Sequence, residues 1–429
     1  MRRIALLGVV ALALLPLGRS AERTLPLRGP QAATATLTAL LGDSGGSRLA
    51  TVDPATLAAR VRSARLGPVD AWAVAPGGGL VALGVRRDPD ADSYMLRFAN
   101  AATLRVARAG VPLSGWLQSL LWASPGRVVA LTGEQDGVTV AVVDAVAKRV
   151  VARHPLGGMA AAVARFRGGL AALVQPGGSV GAAKLAVVGP SGEVRSVRLE
   201  RIRAGAHWPE DPSSDPIGTT RQPALAVDPA GTAYVLDPDG LVAEIDLRSL
   251  AVSYHTLGAA SVLARIAAWL VPPASAKGMN GPQRAATWLG DGLIALSGSD
   301  YSATRAEDGS VTFSQAPAGL AVVDTHGWTV RTLDRQATSA WVADGALLAT
   351  GGGWSSGDSA RGEGLAAYGP DGKLRWRLFP GTRPWVDGVV GGLALVVEEG
   401  GARFHVVDVE SGRILRSGPL SSEPRVLAG

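Results

Sequence analysis

The sequence contains no cysteine, which excludes disulfides, thiol catalysis, lipid attachment through a cysteine and zinc–thiolate sites. Lysine is nearly missing too: Lys148, Lys184, Lys277 and Lys373 are the only ones among 42 basic residues. Arginine therefore carries the positive charge, a skew that reads as the coding bias of a GC-rich bacterium. Aromatic residues are few, at 5%. No apolar run reaches the about 20 residues that a bilayer core needs, so no membrane span is expected once the amino-terminal segment is removed. Histidines number five, and His154, His255, His326 and His405 fall in successive hairpins, so no Ser/His/Asp set assembles from them. The formal charge of +6 includes Arg2, Arg3 and Arg19 of the first twenty residues. The remaining arginines are scattered, so no nucleic-acid partner is expected.

Glycine and proline, by contrast, are plentiful, at 56 and 27 of 429 residues, in a chain that is 47% hydrophobic. The apolar content suffices for a folded core, and the density of breakers excludes an all-helical fold. Short strands and many turns remain, so the fold class expected is all-β.

Residues 1–20, MRRIALLGVVALALLPLGRS, have a basic start, an apolar run from Ile4 to Leu17, and Gly18 and Ser20 at the minus-three and minus-one positions of a possible cut. That is the pattern of a secretory signal peptide. A run of 14 residues closed by Arg19 is too short for an anchor. Residues 21–429 are accordingly expected to be secreted or extracytoplasmic.

Self-comparison reveals one hairpin recurring eight times, among its copies VAVVDAVAKRVV, VAEIDLRSLAVSY, LAVVDTHGWTVRT and FHVVDVESGRILR. Its period of two marks strands. At the turns stand Asp53, Asn100, Asp144, Gly189, Asp246, Asp324, Gly369 and Asp408, types that accept a backbone turn hydrogen bond or tolerate positive φ. Their spacings of 47, 44, 45, 57, 78, 45 and 39 give a unit near 45 residues, interrupted by insertions. Every copy after the first follows a second hairpin, so a unit has four strands, as a propeller blade does. Trp72, Trp122, Trp288, Trp341 and Trp385 recur at the end of the first strand and are expected to pack between units. Upstream of the first hairpin stands only ATLTALLG, and PRVLAG is left over after the last. The expectation is a single β-propeller of four-stranded blades, closed by joining the N- and C-terminal strands. Eight blades are expected, with seven the alternative if the first hairpin is an extension.

The hairpin LAAYGPDGKLRWRL, with its turn glycine and Trp376, resembles those of secreted bacterial propellers of the pyrroloquinoline-quinone-like and YVTN-type class. The resemblance spans nearly all of residues 21–429 and implies the fold. That wider class holds quinoprotein dehydrogenases, lyases, lactonases and simple binders, so it does not select a function.

Four long excursions interrupt the repeat, at 199–223, 257–284, 299–318 and 351–363, and strand counting puts all of them on one face. They hold Trp208, Glu210, Asp211, Asp215, Arg221, Trp269, Lys277, Tyr301, Arg305, Trp354, Asp358 and Arg361, a mixture of aromatic and charged groups suited to partner binding. Within the second, Val262, Ile266, Trp269 and Leu270 share helical spacing ahead of Pro272 and Pro273. His207, Glu210 and Asp211 match no defined metal loop, and Asp88, Asp90 and Asp92 begin a calcium-loop pattern that Ser93 and Ala99 break. No catalytic residue, cofactor or metal is assigned. The function expected is a non-enzymatic binder of a protein or glycan partner in the cell envelope. The alternative is a hydrolase, lyase or quinone-dependent oxidoreductase with a pocket at the channel mouth, and a purely structural envelope role stands third.

Overall fold

A computed structural model of the chain describes residues 24–28, 37–43, 46–53, 55, 57–88, 91–134, 137–167, 169–189, 191–207, 218–258, 281–305, 310–355, 361–401, 403–419 and 424–427. Alternating apolar residues between turn residues give strands throughout, and the described residues are all-β. The first unit holds β1 (Leu37–Asp43), β2 (Gly46–Val52) and β3 (Ala59–Arg62). The second is β4 (Val69–Val74), β5 (Leu80–Asp88), β6 (Ala91–Asn100) and β7 (Val111–Ser114), and the third β8 (Trp116–Ser124), β9 (Arg127–Glu134), β10 (Gly137–Asp144) and β11 (Arg149–Pro155). The fourth is β12 (Met159–Phe166), β13 (Gly169–Gln175), β14 (Val180–Val188) and β15 (Val194–His207), with β16 (Thr219–Arg221) added at its edge. The fifth is β17 (Ala224–Val227), β18 (Thr232–Leu236), β19 (Leu241–Asp246) and β20 (Val252–Thr256).

A nine-stranded sheet follows, built of two four-stranded halves. The sixth unit is β21 (Gly281–Gly290), β22 (Leu293–Arg305), β24 (Leu320–Asp324) and β25 (Thr329–Asp334); the seventh is β26 (Ala337–Ala343), β27 (Ala346–Ser355), β28 (Arg361–Tyr368) and β29 (Leu374–Leu378). Strand β23 (Val311–Pro317) pairs with both β22 and β27 and joins the halves. The eighth unit is β30 (Trp385–Val390), β31 (Leu393–Val397), β32 (Arg403–Asp408) and β33 (Ile414–Pro419). The last strand, β34 (Pro424–Leu427), pairs antiparallel with β1 and lies beside β30 and β4.

Burial peaks at the second and third strands of the units, and the first strand β12 is far less buried than β13 beside it. Second strands such as β9 and β31 are buried almost end to end, because a sheet covers each of their faces, while the outer strand β11 alternates with solvent. Consecutive units share a core, as Phe98 and Trp122 do between the second and third, and as Leu131 of β9 and Leu170 of β13 do between the third and fourth. The eighth unit shares one with the first, where Phe404 and Leu395 meet Ala39 and Leu57. Ahead of β1, Leu25 and Leu27 are buried between the sixth and seventh units, and the Leu25 amide donates to the Pro370 carbonyl at 2.6 Å.

The turn aspartates are structural, as expected. Asp144 Oδ1 accepts from the amides of Val146 at 2.9 Å and Ala147 at 2.8 Å, and its carboxylate also meets Arg127. The Ala147 amide first, then Arg127, hold the Asp144 carboxyl down at about 2. Four of the five repeated tryptophans pack between units: Trp122 Nε1 donates to the Ala73 carbonyl at 3.0 Å, Trp288 stacks on Tyr234 at 5.5 Å, and Trp72 and Trp341 lie against neighbouring cores. Trp385 does not. It opens β30 instead of ending it, opposite Val397, and is 41% exposed.

Three of the excursions are more regular than irregular loops. Of 299–318, the described residues continue β22 to Arg305 and form β23; of 351–363, they are the end of β27 and the start of β28; of 199–223, they are the end of β15 and all of β16. Of 257–284, Gly281 onward is the start of β21, and the helical pattern at 262–270 lies outside the described residues. Among the described residues no helix is long and apolar enough to cross a membrane.

Candidate functional site

Antiparallel order gives every unit two ends. Strands one and two, and three and four, are joined at one end; strands two and three, and four and the next unit, are joined at the other. All four excursions leave from this second end, because β15 and β20 are fourth strands and β22 and β27 are second strands.

There the excursions join into one hydrogen-bonded ladder. Gly205, Ala206 and His207 of β15 face Arg221, Thr220 and Thr219 of β16. The Gln222 amide donates to the Pro282 carbonyl at 3.0 Å and the Arg284 amide to the Gln222 carbonyl at 2.9 Å, so β16 is stitched to β21. Strand β21 pairs with β22, where Gly281 faces Tyr301, and β22 pairs with β23, where Tyr301 faces Gln315. Gln315 in turn faces Trp354 of β27. The sheet of the fourth unit is thus joined through the Gln222–Gln283 bridge to the sheet of the sixth and seventh.

Side chains lock it. Trp354 Nε1 donates to Gln315 Oε1 at 2.6 Å, and Gln315 Nε2 donates to Ser299 Oγ at 2.7 Å. Arg284 NH1 donates to Asp300 Oδ1 at 2.8 Å and to the Ser299 carbonyl at 3.1 Å. Phe313, which sequence reasoning misses, is 39% exposed on this hairpin. Its signal is the alternation VTFSQA, hidden because neither face of that ribbon needs to be apolar.

Of the twelve residues expected to bind a partner, Trp208, Glu210, Asp211, Asp215, Trp269, Lys277 and Asp358 lie outside the described residues. Arg305 ends β22 and Arg361 begins β28, which places their backbones at the rim of the ladder. Tyr301 and Trp354 are half-buried within it and come together through Gln315. Arg221 is engaged within the fold: its guanidinium pairs with the buried carboxylate of Asp237 and, at 2.6 Å, with Asp239 Oδ2. Burial works against that cation, but the two carboxylates outweigh it and raise the pKa. His207 Nδ1 lies 3.1 Å from the Gly178 carbonyl oxygen. Among the described residues no group of three or more His, Asp or Glu is placed to hold a metal ion.

Two recesses open among the described residues. One, of about 530 Å³, opens at the same end between the third and fourth units, beside Trp116, Glu134 and Met159. The other, of about 470 Å³, lies at the opposite end between the fifth and sixth units, beside Tyr234, Trp288 and His326. In the second recess Asp228 is committed to its own turn, accepting from the amides of Gly231 at 2.7 Å and Thr232 at 2.8 Å.

No protein-family model matches the chain, and no curated protein sequence matches it. Solved structures do. The dihydro-heme d1 dehydrogenase NirN, in complex with DHE, is 14% identical with a TM-score of 0.55, over 96% of this chain and 77% of that one. AztD from Citrobacter koseri, in its apo form, is 11% identical with a TM-score of 0.46, over 92% of this chain and 98% of that one. The WD40 domain of Toxoplasma gondii coronin is 12% identical with a TM-score of 0.41, over 84% and 81%. At such identities the likeness is one of fold alone. The chain is an all-β protein whose four-stranded antiparallel sheets match those of β-propeller structures.

Proposed function

We propose that this chain is an eight-bladed propeller, exported from the cytoplasm, that acts as a non-enzymatic binding module for a protein or glycan partner of the cell envelope. The observation that carries the reading is the ladder running from β15 through β16, β21, β22 and β23 to β27. An irregular loop must be ordered when it binds, at a cost in entropy. A ladder drawn from three units presents its side chains already in place. Tyr301, Trp354 and Phe313 supply the aromatic groups that interface centres favour, and Arg305 and Arg361 stand at its rim.

The ring is supported by two observations: the pairing of β34 with β1, and the core shared by the eighth and first units. Full closure leaves no sheet edge open to other chains. The likeness of LAAYGPDGKLRWRL to pyrroloquinoline-quinone-like repeats has a packing role here, since Trp376 Nε1 donates to the Val409 carbonyl at 2.9 Å between the seventh and eighth units. Export is supported by the signal pattern of residues 1–20.

The test is a pull-down from bacterial envelope extract with residues 21–429, beside the double variant Tyr301→Ala/Phe313→Ser. A protein or polysaccharide captured by the wild type and lost from the variant, at an unchanged melting temperature, is the expected result. Equal capture by both, or none by either, would remove the ladder from consideration as a binding surface.

A further inference from the structure

We infer that the cleft between the third and fourth units is a saccharide subsite, built on Trp116, Gln118 and Glu134. It rests on residues that the ladder does not use, so it stands or falls independently of the proposed partner surface.

Trp116 opens β8 and is 37% exposed. Its ring packs directly against Gly133, where an added Cβ would come within 2.1 to 2.6 Å of three ring atoms. The indole is thereby held against backbone while it remains partly open to solvent, a stacking platform needing little ordering on contact. Across from it Met159, 43% exposed, gives a soft apolar wall, and the backbone of Gly158, Gly177 and Gly178 brings the main chain close without side chains. The volume of about 530 Å³ is in the range of small-ligand sites.

Polar groups at the cleft choose the chemistry. The side-chain oxygen of Gln118, which lines the cleft, is buried and accepts no hydrogen bond among the described residues. A buried acceptor left unpaired costs about 1–3 kcal/mol, so this one points to a group that a ligand satisfies. Glu134 faces the same cleft, and its Oε1 accepts from Ser114 Oγ at 3.2 Å, which in turn accepts from Arg153 NH1 at 3.1 Å. That chain offsets part of the Glu134 charge, so the site does not call for a cation. It has one aromatic ring where an ammonium cage wants several. An anion would meet the carboxylate. A neutral ring with donor hydroxyls on its rim and a C–H face for Trp116 satisfies the platform, the Gln118 oxygen and the Glu134 carboxylate together.

Titration of residues 21–429 with chitotetraose, cellotetraose, maltotetraose and mannotetraose, by calorimetry and tryptophan fluorescence, tests this, with choline and inorganic phosphate as counter-probes. Saturable binding of at least one oligosaccharide is expected. Trp116→Ala should weaken it by at least about tenfold, as loss of a stacking anchor does. Gly177→Leu approaches from the other wall: a Cβ there meets nothing nearer than 3.9 Å, so the side chain fills the cleft without disturbing Trp116. It should weaken binding as much. The Tyr301→Ala/Phe313→Ser variant should bind these sugars as the wild type does, which separates this subsite from the ladder. Absence of saturable binding by any of the oligosaccharides, affinity unchanged in both cleft variants, or saturation by choline or phosphate in their place would each overturn the assignment.

Discussion

An aspartate or asparagine opens most outer turns and does one job in each: its side-chain oxygen accepts amides two or three residues on, as Asp53, Asn100, Asp246 and Asp408 do. That role was legible, because the residue type and its repetition carry the chemistry. The partner feature was not. Four residues after the turn residue the backbone enters the left-handed region, at Leu57, Leu104, Lys148, Leu250 and Trp328, with φ between 51° and 61°. Leucine, lysine and tryptophan give no compositional hint of such a conformation; the eighth unit alone shows a glycine there, Gly412, with φ of 72°. A side chain at that φ costs about 1–2 kcal/mol. Lys148→Gly should therefore raise stability, by about 0.5–1 kcal/mol once the added freedom of the unfolded chain is subtracted. Leu57→Gly should do the opposite, since Leu57 is buried against the eighth unit and its transfer free energy would be lost. Urea unfolding of the two variants beside the wild type checks both signs.

Between turns, the unit of organisation is the strand pair, and here the sequence was legible where one face is buried and misleading where none is. Hairpins with apolar alternation stood out. SDYSATRAEDGSVTFSQAPA did not, although it holds the second half of β22 and all of β23, because a ribbon projecting past the core has no apolar stripe and only Tyr301, Thr304, Val311 and Phe313 hint at strand preference. What holds that ribbon to the seventh unit is the relay from Trp354 through Gln315 to Ser299, together with two backbone pairs, Ser314 with Ser355 and Gln315 with Trp354. Gln315→Leu keeps the size of the side chain but leaves the indole N–H and the Ser299 hydroxyl without partners. A loss of about 1–2 kcal/mol is expected, seen as a lower urea midpoint at an unchanged slope. An unchanged midpoint would mean that the main-chain ladder alone holds the hairpin in place.

For the molecule as a whole, the 45-residue period and the two strands left over at the ends were enough to anticipate the pairing of β34 with β1, since a strand missing from the first unit and one in surplus after the last complete each other. The proposed binding surface was less accessible, because it is assembled from four insertions that share no repeat, and their contact through β16, β21, β23 and β27 is a property of the folded arrangement. If the ring is closed as proposed, β34 matters far beyond its four residues. It covers the edge of β1 and lies beside both β30 and β4, so it bears on the seam where the first and last units meet. A chain truncated after Pro419 should keep its local hairpins but lose that seam. Its melting temperature should fall by more than the about 2–4 °C that 1 kcal/mol is worth even in a 150–250-residue domain. The bared edge of β1 should also make it associate with rising concentration in sedimentation velocity. A truncated chain that melts with the full one and stays monomeric would show that the sheets are held together without the terminal strand, and the ring reading would have to be given up.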